Sequence, residues 1–346
     1  MNKVVTFGEI MLRLSAPGYN RLYQSNSLNV SFAGAEANVA YSIARFGLDV
    51  EFVSALPANN PFTEKCLTEL RGAKVKVDNV ALTGDRIGVL YLETGASQRP
   101  SKVYYDRAHS SIANISKGTI DWDKVFDGAC WFHWTGITAA LSQSLTDVLC
   151  EAIEEASKRG ITISCDLNYR STLWKYGKTV SEVMPGLVEK CNVILGNEED
   201  CEQVFGIKAR NVDLSNSKQI DAGVYEDVCS QMMQKFPHCE KMAITIRSAI
   251  NANHNKWTAV LYDGKQLLQT TTYDITNIVD RVGGGDSFMG GLIYSLVTQP
   301  NDLQNALDFA TAVSCIKHSI NGDYNIVTLD EVRSLMKGNG SGRVVR

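Results

Sequence analysis

Short β-branched runs alternate with helix-patterned segments along nearly the whole chain, and few folds accept that order. Strands are expected at Val4 to Phe7, Val50 to Ala55, Ile161 to Asp166, Val193 to Leu195, Met242 to Ile246 and Thr258 to Tyr262. Helices are expected at Glu36 to Phe46, Ser144 to Arg159, Tyr225 to Phe236, Asp286 to Val297 and Leu303 to Ser319. The alternation predicts an α/β fold, a mostly parallel, doubly wound sheet with helices on both faces. In such a sheet ligands bind beyond the carboxyl ends of the strands.

Two stretches interrupt the pattern. Asn20 to Phe32 and Thr83 to Tyr105 read as short strands with polar breaks, and Gly88 to Glu93 and Lys102 to Tyr105 read as antiparallel neighbours. Together they predict a small β lid, about 10–33 and 84–110, on one domain spanning 1–336; separate loops are the alternative. The Gly- and Ser-rich end, 337–346, is expected to be a flexible tail.

Bulk properties exclude several classes. A net charge of -4 gives no basic surplus for a nucleic-acid partner. No apolar run approaches the roughly 20 residues of a membrane span. Glu9 and Arg13 interrupt the first apolar stretch, which argues against a signal peptide. The nine cysteines are scattered singly and the five histidines are dispersed, so reduced thiols in a cytoplasmic protein fit, and no side-chain metal cage is expected.

The sharpest local signal is Asp280-Arg-Val-Gly-Gly-Gly-Asp286, followed at once by a helix pattern. Consecutive glycines let backbone approach a ligand, and unpaired N–H groups at a helix start attract an anion. Asp286 at that point reads equally as a helix cap or as a general base for an attacking hydroxyl. The chain has no G-x-x-x-x-G-K-[ST] and no H-R-D or D-F-G element, so a P-loop and a protein kinase are excluded. A dinucleotide-binding oxidoreductase is disfavoured, because Phe7-Gly-Glu-Ile-Met11 follows the first strand in place of G-x-G-x-x-G.

Two segments, far apart and in the right order, carry a resemblance. Phe32-Ala-Gly-Ala-Glu-Ala-Asn-Val-Ala40 resembles the G-G-x-x-x-N-x-A element, and Asp280 to Asp286 resembles the D-T-x-G-A-G-D element, of the ribokinase (PfkB-type) family of carbohydrate kinases. Arg281 and Gly284 depart from that pattern, and Arg247-Ser-Ala-Ile-Asn251 stands where the family has a Gly-rich segment. Asp166-Leu-Asn-Tyr-Arg-Ser-Thr-Leu-Trp174, Tyr104-Tyr-Asp-Arg107, Asp280-Arg281 and Gly322-Asp-Tyr-Asn325 resemble the 2-keto-3-deoxygluconate kinase branch.

The resemblance implies a ribokinase-like fold, ATP and Mg2+ as cofactors, and transfer to the terminal hydroxyl of a sugar acid. It implies Asp286 as base with Gly283, Gly284 and Gly285 as anion hole, and Gly34, Asn38 and Asp280 on the sugar. Tyr91, Tyr105, Arg107 and Arg170 are the candidates for the sugar acid, since an arginine fork suits a carboxylate. Asn197, within Asn197-Glu-Glu-Asp200, and Arg247, Ala312 and Asn325 are the candidates for the nucleotide. A fructokinase or other neutral-sugar kinase, and a non-catalytic regulator on the same fold, are the competing readings. The exposed lid edges suggest a homodimer or higher homo-oligomer.

Overall fold

The structure, a computed structural model, describes residues 2–209 and 222–340. Residues 341–346 of the expected tail lie outside the described residues. Nine strands form the main sheet. From one edge the order is Leu267–Gln269, His254–Tyr262, Lys241–Asn251, Val193–Gly196, Thr162–Asp166, Ala129–Thr135, Lys3–Phe7 and Val50–Val53; Tyr273–Ile275 also pairs with His254–Tyr262. Every pairing from Lys241–Asn251 to Val50–Val53 is parallel, and those made by His254–Tyr262 are antiparallel.

The parallel strands are buried on both faces, which is why most of their residues are apolar, with buried polar exceptions such as Thr6, Glu51 and Ser164. Val5, Phe7, Phe132, Ile163, Cys165, Ile194 and Ile244 point into one core, beneath the helix Gln143–Lys158. Val4, Trp131, Val193, Leu195 and Ala243 point into the other, beneath Ala35–Arg45 and Gly284–Thr298. Phe132 and Trp134 are fully buried. Burying a large apolar side chain contributes about 1.5–3 kcal/mol, and Phe132→Ala should cost about 3–5 kcal/mol once the cavity is counted.

Three helices bring the two ends of the sequence together. Gly290 and Gly291 lie midway along Gly284–Thr298. A Cβ at Gly290 would come 2.6 Å from Ser42 Cβ, and one at Gly291 would come 3.0 Å from Ala310 Cα. The absent side chains let the helices Ala35–Arg45 and Leu303–Lys317 pack closely on either side. The glycine turn therefore starts beside the amino end of Ala35–Arg45.

A second sheet of four strands runs in the order Asn29–Ala33, Met11–Ser15, Val89–Glu93, Lys102–Asp106. Val89–Glu93 and Lys102–Asp106 are antiparallel, while Met11–Ser15 and Val89–Glu93 are parallel. Within Asn20 to Phe32 only the end is strand; Leu22–Gln24 is a single 3-10 turn. Its inner face is Met11, Ala33, Leu90 and Leu92.

The sequence reading missed one central strand and several helices. Ala129–Thr135 carries His133 in the middle of its apolar run. His133 is fully buried and pairs through Nδ1 with Ser164 Oγ at 2.9 Å, so a polar residue was accommodated in the sheet interior by a partner on the next strand. Pro61–Gly72, Val180–Val188 and Leu329–Met336 are helices with weaker patterns; Val180–Val188 even contains Pro185.

Candidate active site

The carboxyl ends of the parallel strands, the inner face of the smaller sheet and the start of Gly284–Thr298 enclose a cavity of about 760 Å³. Gly283, Gly284 and Gly285 form part of its wall. Gly283 caps the helix in the left-handed region, at φ 79°, and a Cβ there would overlap the carbonyl oxygen of Asp323. Only glycine satisfies both demands. Asp286 is the third helical residue and does not cap the helix. Its Oδ2 instead accepts from Asn38 Nδ2 at 2.7 Å. Burial pushes the Asp286 carboxyl up to about 6; Asp323 adds to the rise, and the Asn38 bond, Arg170 and Lys317 work against it.

Around Asp286 the wall is strongly acidic. Asp166 lies at the end of its strand and is held well above the ordinary carboxylate range by burial and by the neighbouring Asp200 and Asp286. Glu36, fully enclosed, has one oxygen accepting from Thr135 N (3.0 Å), Thr135 Oγ1 (2.7 Å) and Thr138 Oγ1 (2.7 Å), and burial raises it to about 7. Four arginines balance part of this charge: Arg107, Arg170, Arg247 and Arg281. Arg170 is exposed, makes no ion pair among the described residues and follows a left-handed Asn168 (φ 40°), whose N–H donates to Asp166 Oδ1 at 3.2 Å. Asn tolerates that conformation, so the turn aims Arg170 at the cavity.

The pfkB family of carbohydrate kinases matches residues 1–246 and 250–328. The chain belongs to that family. It is 31% identical, over 98% of each chain, to the 2-dehydro-3-deoxygalactonokinase of Haloferax volcanii. The crystal structure of a 2-dehydro-3-deoxygluconokinase from Thermotoga maritima is similar at 43% identity, with a TM-score of 0.91 over 98% of this chain and 100% of that one. A pfkB family carbohydrate kinase from Listeria grayi is 30% identical, with a TM-score of 0.86, over 97% of this chain and 100% of that one. The fold is that of the ribokinase-like kinases.

Against that pfkB background the expected residues divide. Asn38, Tyr105, Arg107, Arg170, Asn197, Arg247 and the Gly283 to Asp286 turn all line the one cavity. Gly34 lines it too, for an added reason: a Cβ there would overlap the Glu9 carbonyl oxygen, so the glycine is required by close backbone packing. Asn197 is committed to its helix, its Oδ1 accepting from Asp200 N at 2.7 Å. Arg107 is ion-paired with Glu9, Nε to Oε2 at 2.7 Å, and its charge is largely cancelled. Of the two arginines expected on the sugar acid, Arg170 is the one in no direct ion pair, although it lies near enough to Asp166, Asp200 and Asp286 to favour their ionised forms.

Four expectations are corrected. Tyr91 lies on the outer face of the smaller sheet, beside Arg21 and Tyr104 in a separate cavity of about 660 Å³, because the two-residue period sends Leu90 and Leu92 inward. Asp280 does not line the main cavity; it is buried against Arg13, whose Nη2 donates to Oδ2 at 2.5 Å. Ala312 packs against Phe46, Phe309 and Val327 on the inner side of its helix. Asn325 is fully buried, its Oδ1 accepting from Val327 N at 3.2 Å.

Several lining residues were not foreseen: Glu9, Glu36, Asp166, Arg281 and Asp323. Four of them lie inside segments that carry the resemblance, Glu36, Asp166, Arg281 and Asp323, and a charged residue in a glycine-rich segment was a signal available in the sequence. The placement of Asp323 at the turn emerges only when the chain end folds back against Gly283.

Proposed function

We propose that this pfkB-family kinase transfers the terminal phosphoryl group of ATP to the terminal hydroxyl of a keto-deoxy sugar acid, converting 2-keto-3-deoxygluconate to 2-keto-3-deoxy-6-phosphogluconate. The observation that carries the reading is one cavity holding both a carboxylate raised to about 6 at a glycine turn, Asp286, and an exposed arginine in no direct ion pair among the described residues, Arg170. A base near the working pH accepts a hydroxyl proton best, and a free guanidinium matches a substrate carboxylate. The names of the Haloferax and Thermotoga relatives fit the same substrate class.

The residues present suit a magnesium–nucleotide. Gly283 to Gly285 offer backbone N–H groups at a helix start. Arg247 and Arg281 lie close by, with burial and then Arg247 holding the Arg281 guanidinium below its ordinary value. Carboxylates outnumber arginines on the wall, so a bare polyphosphate would be repelled and a divalent ion would be welcome. The described residues contain no cluster of three His, Cys, Asp or Glu side chains able to hold a metal. Mg2+ would be held chiefly by the phosphates, with Asn197 and Asp200 on the same wall, and would supply charge neutralisation.

Asp286 orients the attacking hydroxyl and takes its proton, while Asn38 holds the carboxylate in place. The N–H groups of the turn stabilise the charge that develops on the transferred group. The smaller sheet acts as a lid: Tyr105 and the Arg107–Glu9 pair close one side of the cavity. The outermost lid strand, Lys102–Asp106, is exposed along its length, which supports a homodimer through the lid; light scattering tests this. No helix among the described residues is long and apolar enough to cross a membrane.

A panel of 2-keto-3-deoxygluconate, its galactonate epimer, fructose and ribose, each with ATP and Mg2+, tests the substrate class. Turnover of either acid well above both neutral sugars is expected. Preference for fructose or ribose would remove the role given to Arg170, and no turnover of any sugar would favour a regulator.

A further inference from the structure

Behind the glycine turn lies a buried charge network of Arg13, Asp280, Asp323 and Lys317, of which only Asp323 also lines the cavity. Arg13, on the lid strand Met11–Ser15, is 2% exposed. Its Nη2 donates to Asp280 Oδ2 at 2.5 Å and its Nη1 to Asp323 Oδ1. The two carboxylates bracket the turn from opposite sides. Asp280 precedes it and also accepts from Val282 N at 3.0 Å and Gly322 N at 3.1 Å. Asp323 comes from the far end of the chain, and its carbonyl is the group that forbids a side chain at Gly283. Lys317, fully buried, donates to the Asp280 carbonyl at 3.3 Å. On its other oxygen Asp323 faces Asn38 Nδ2 at 3.5 Å, the same amide nitrogen that donates to Asp286.

We propose that Arg13 is a positioning residue for the phosphoryl-transfer turn: by bridging Asp280 and Asp323 it fixes the chain on both sides of Gly283 to Asp286 and cancels the charge of Asp323 behind the base. The planar fork of arginine can engage two carboxylates at once, which a lysine ammonium cannot do with the same geometry. The proposal rests on Asp286 being the base. It adds that a lid residue without access to the cavity governs the base, so lid and turn are one electrostatic unit. The groups facing Asp286 are Glu36 and Asn38 from the helix Ala35–Arg45, Asp166 and Arg170 from the end of the strand Thr162–Asp166, and Lys317 and Asp323 from the carboxyl-terminal side. Of these, Asp323 alone is held by Arg13.

The test is a carboxyl-carbon NMR titration of the full chain, labelled at aspartate side chains, with Asp286 assigned by the signal lost in Asp286→Asn. No substrate is used, so the result is separate from that of the sugar panel. Asp323→Asn removes a negative charge beside Asp286 and is expected to lower its midpoint by about half a unit or more; Arg13→Met uncovers that charge and is expected to raise it by a similar amount. The double variant Arg13→Met/Asp323→Asn should bring the midpoint back toward wild type. Where Arg13→Met does not fold, Arg13→Gln, which also removes the positive charge, replaces it, with a shift in the same direction. An Asp286 midpoint unmoved in Asp323→Asn and in the folded Arg13 variant, whatever happens to thermal stability, overturns the proposal and leaves Arg13 a structural ion pair.

Discussion

Removing the Asn38 amide should produce a defect that alkali repairs. Asn38 Nδ2 donates to Asp286 Oδ2 at 2.7 Å, and this bond opposes the upward push of burial that leaves the carboxyl at about 6. A hydrogen bond to a charged group contributes about 1.5–3 kcal/mol, and about 1.4 kcal/mol corresponds to one pKa unit, so Asn38→Ala should raise Asp286 by about 1–2 units, to about 7–8. At pH 7 the ionised fraction then falls from about nine-tenths to between about half and a tenth, and kcat/KM falls about two- to tenfold. At pH 9 the variant should lie within about twofold of wild type. The assay is ADP release with saturating ATP at limiting sugar acid from pH 5 to 9.5. A deficit of constant size at every pH, with the acid limb still near 6, would show that Asn38 acts on the substrate and not on the base.

Other outcomes follow from the same geometry. An unfolded aspartate titrates near 3.9, below the folded value of about 6, so ionising Asp286 costs the fold nothing below about pH 4 and about 3 kcal/mol above about pH 7. Asp286→Asn should therefore match wild type in urea unfolding near pH 4 and exceed it at pH 8; a less stable variant at pH 8 would contradict the raised carboxyl. Gly283→Ala meets both a left-handed backbone and the Asp323 carbonyl, and should cost about 1–3 kcal/mol of stability, with kcat falling more than either KM. Arg170→Met should raise KM for the sugar acid about tenfold or more and leave KM for ATP nearly unchanged. Tyr91→Phe, on the outer face of the lid, should change neither constant.

Much of the fold was legible because the parallel strands are short, β-branched and largely apolar, and alternate with longer amphipathic segments. Ala129–Thr135 escaped because His133 sits at its centre, and its partner Ser164 lies on a strand distant in sequence. The glycine turn was legible in its local sequence and Arg170 in its place after a strand end, whereas Asp286 as base rather than helix cap came only with the resemblance. Facing direction was not. Tyr91 and Tyr105 are both lid tyrosines, and only the register of the sheet sends one outward and the other into the cavity. Asp280 and Arg107 were correctly charged residues near the site, but their charges are cancelled by Arg13 and Glu9, from elements no local pattern connects to them. Pairing across the fold decides which charges stay free for a ligand.

The central claim is phosphoryl transfer to a sugar acid with Asp286 as base. Its most direct measurement is a single-turnover experiment in which wild type and Asp286→Asn are mixed with ATP, Mg2+ and 2-keto-3-deoxygluconate and the phosphorylated acid is followed by 31P NMR. A phosphate ester formed at the terminal hydroxyl by wild type, and about a hundredfold or more slower by the folded variant, is the result predicted. An Asp286→Asn variant that forms the same ester at near wild-type rate would contradict it.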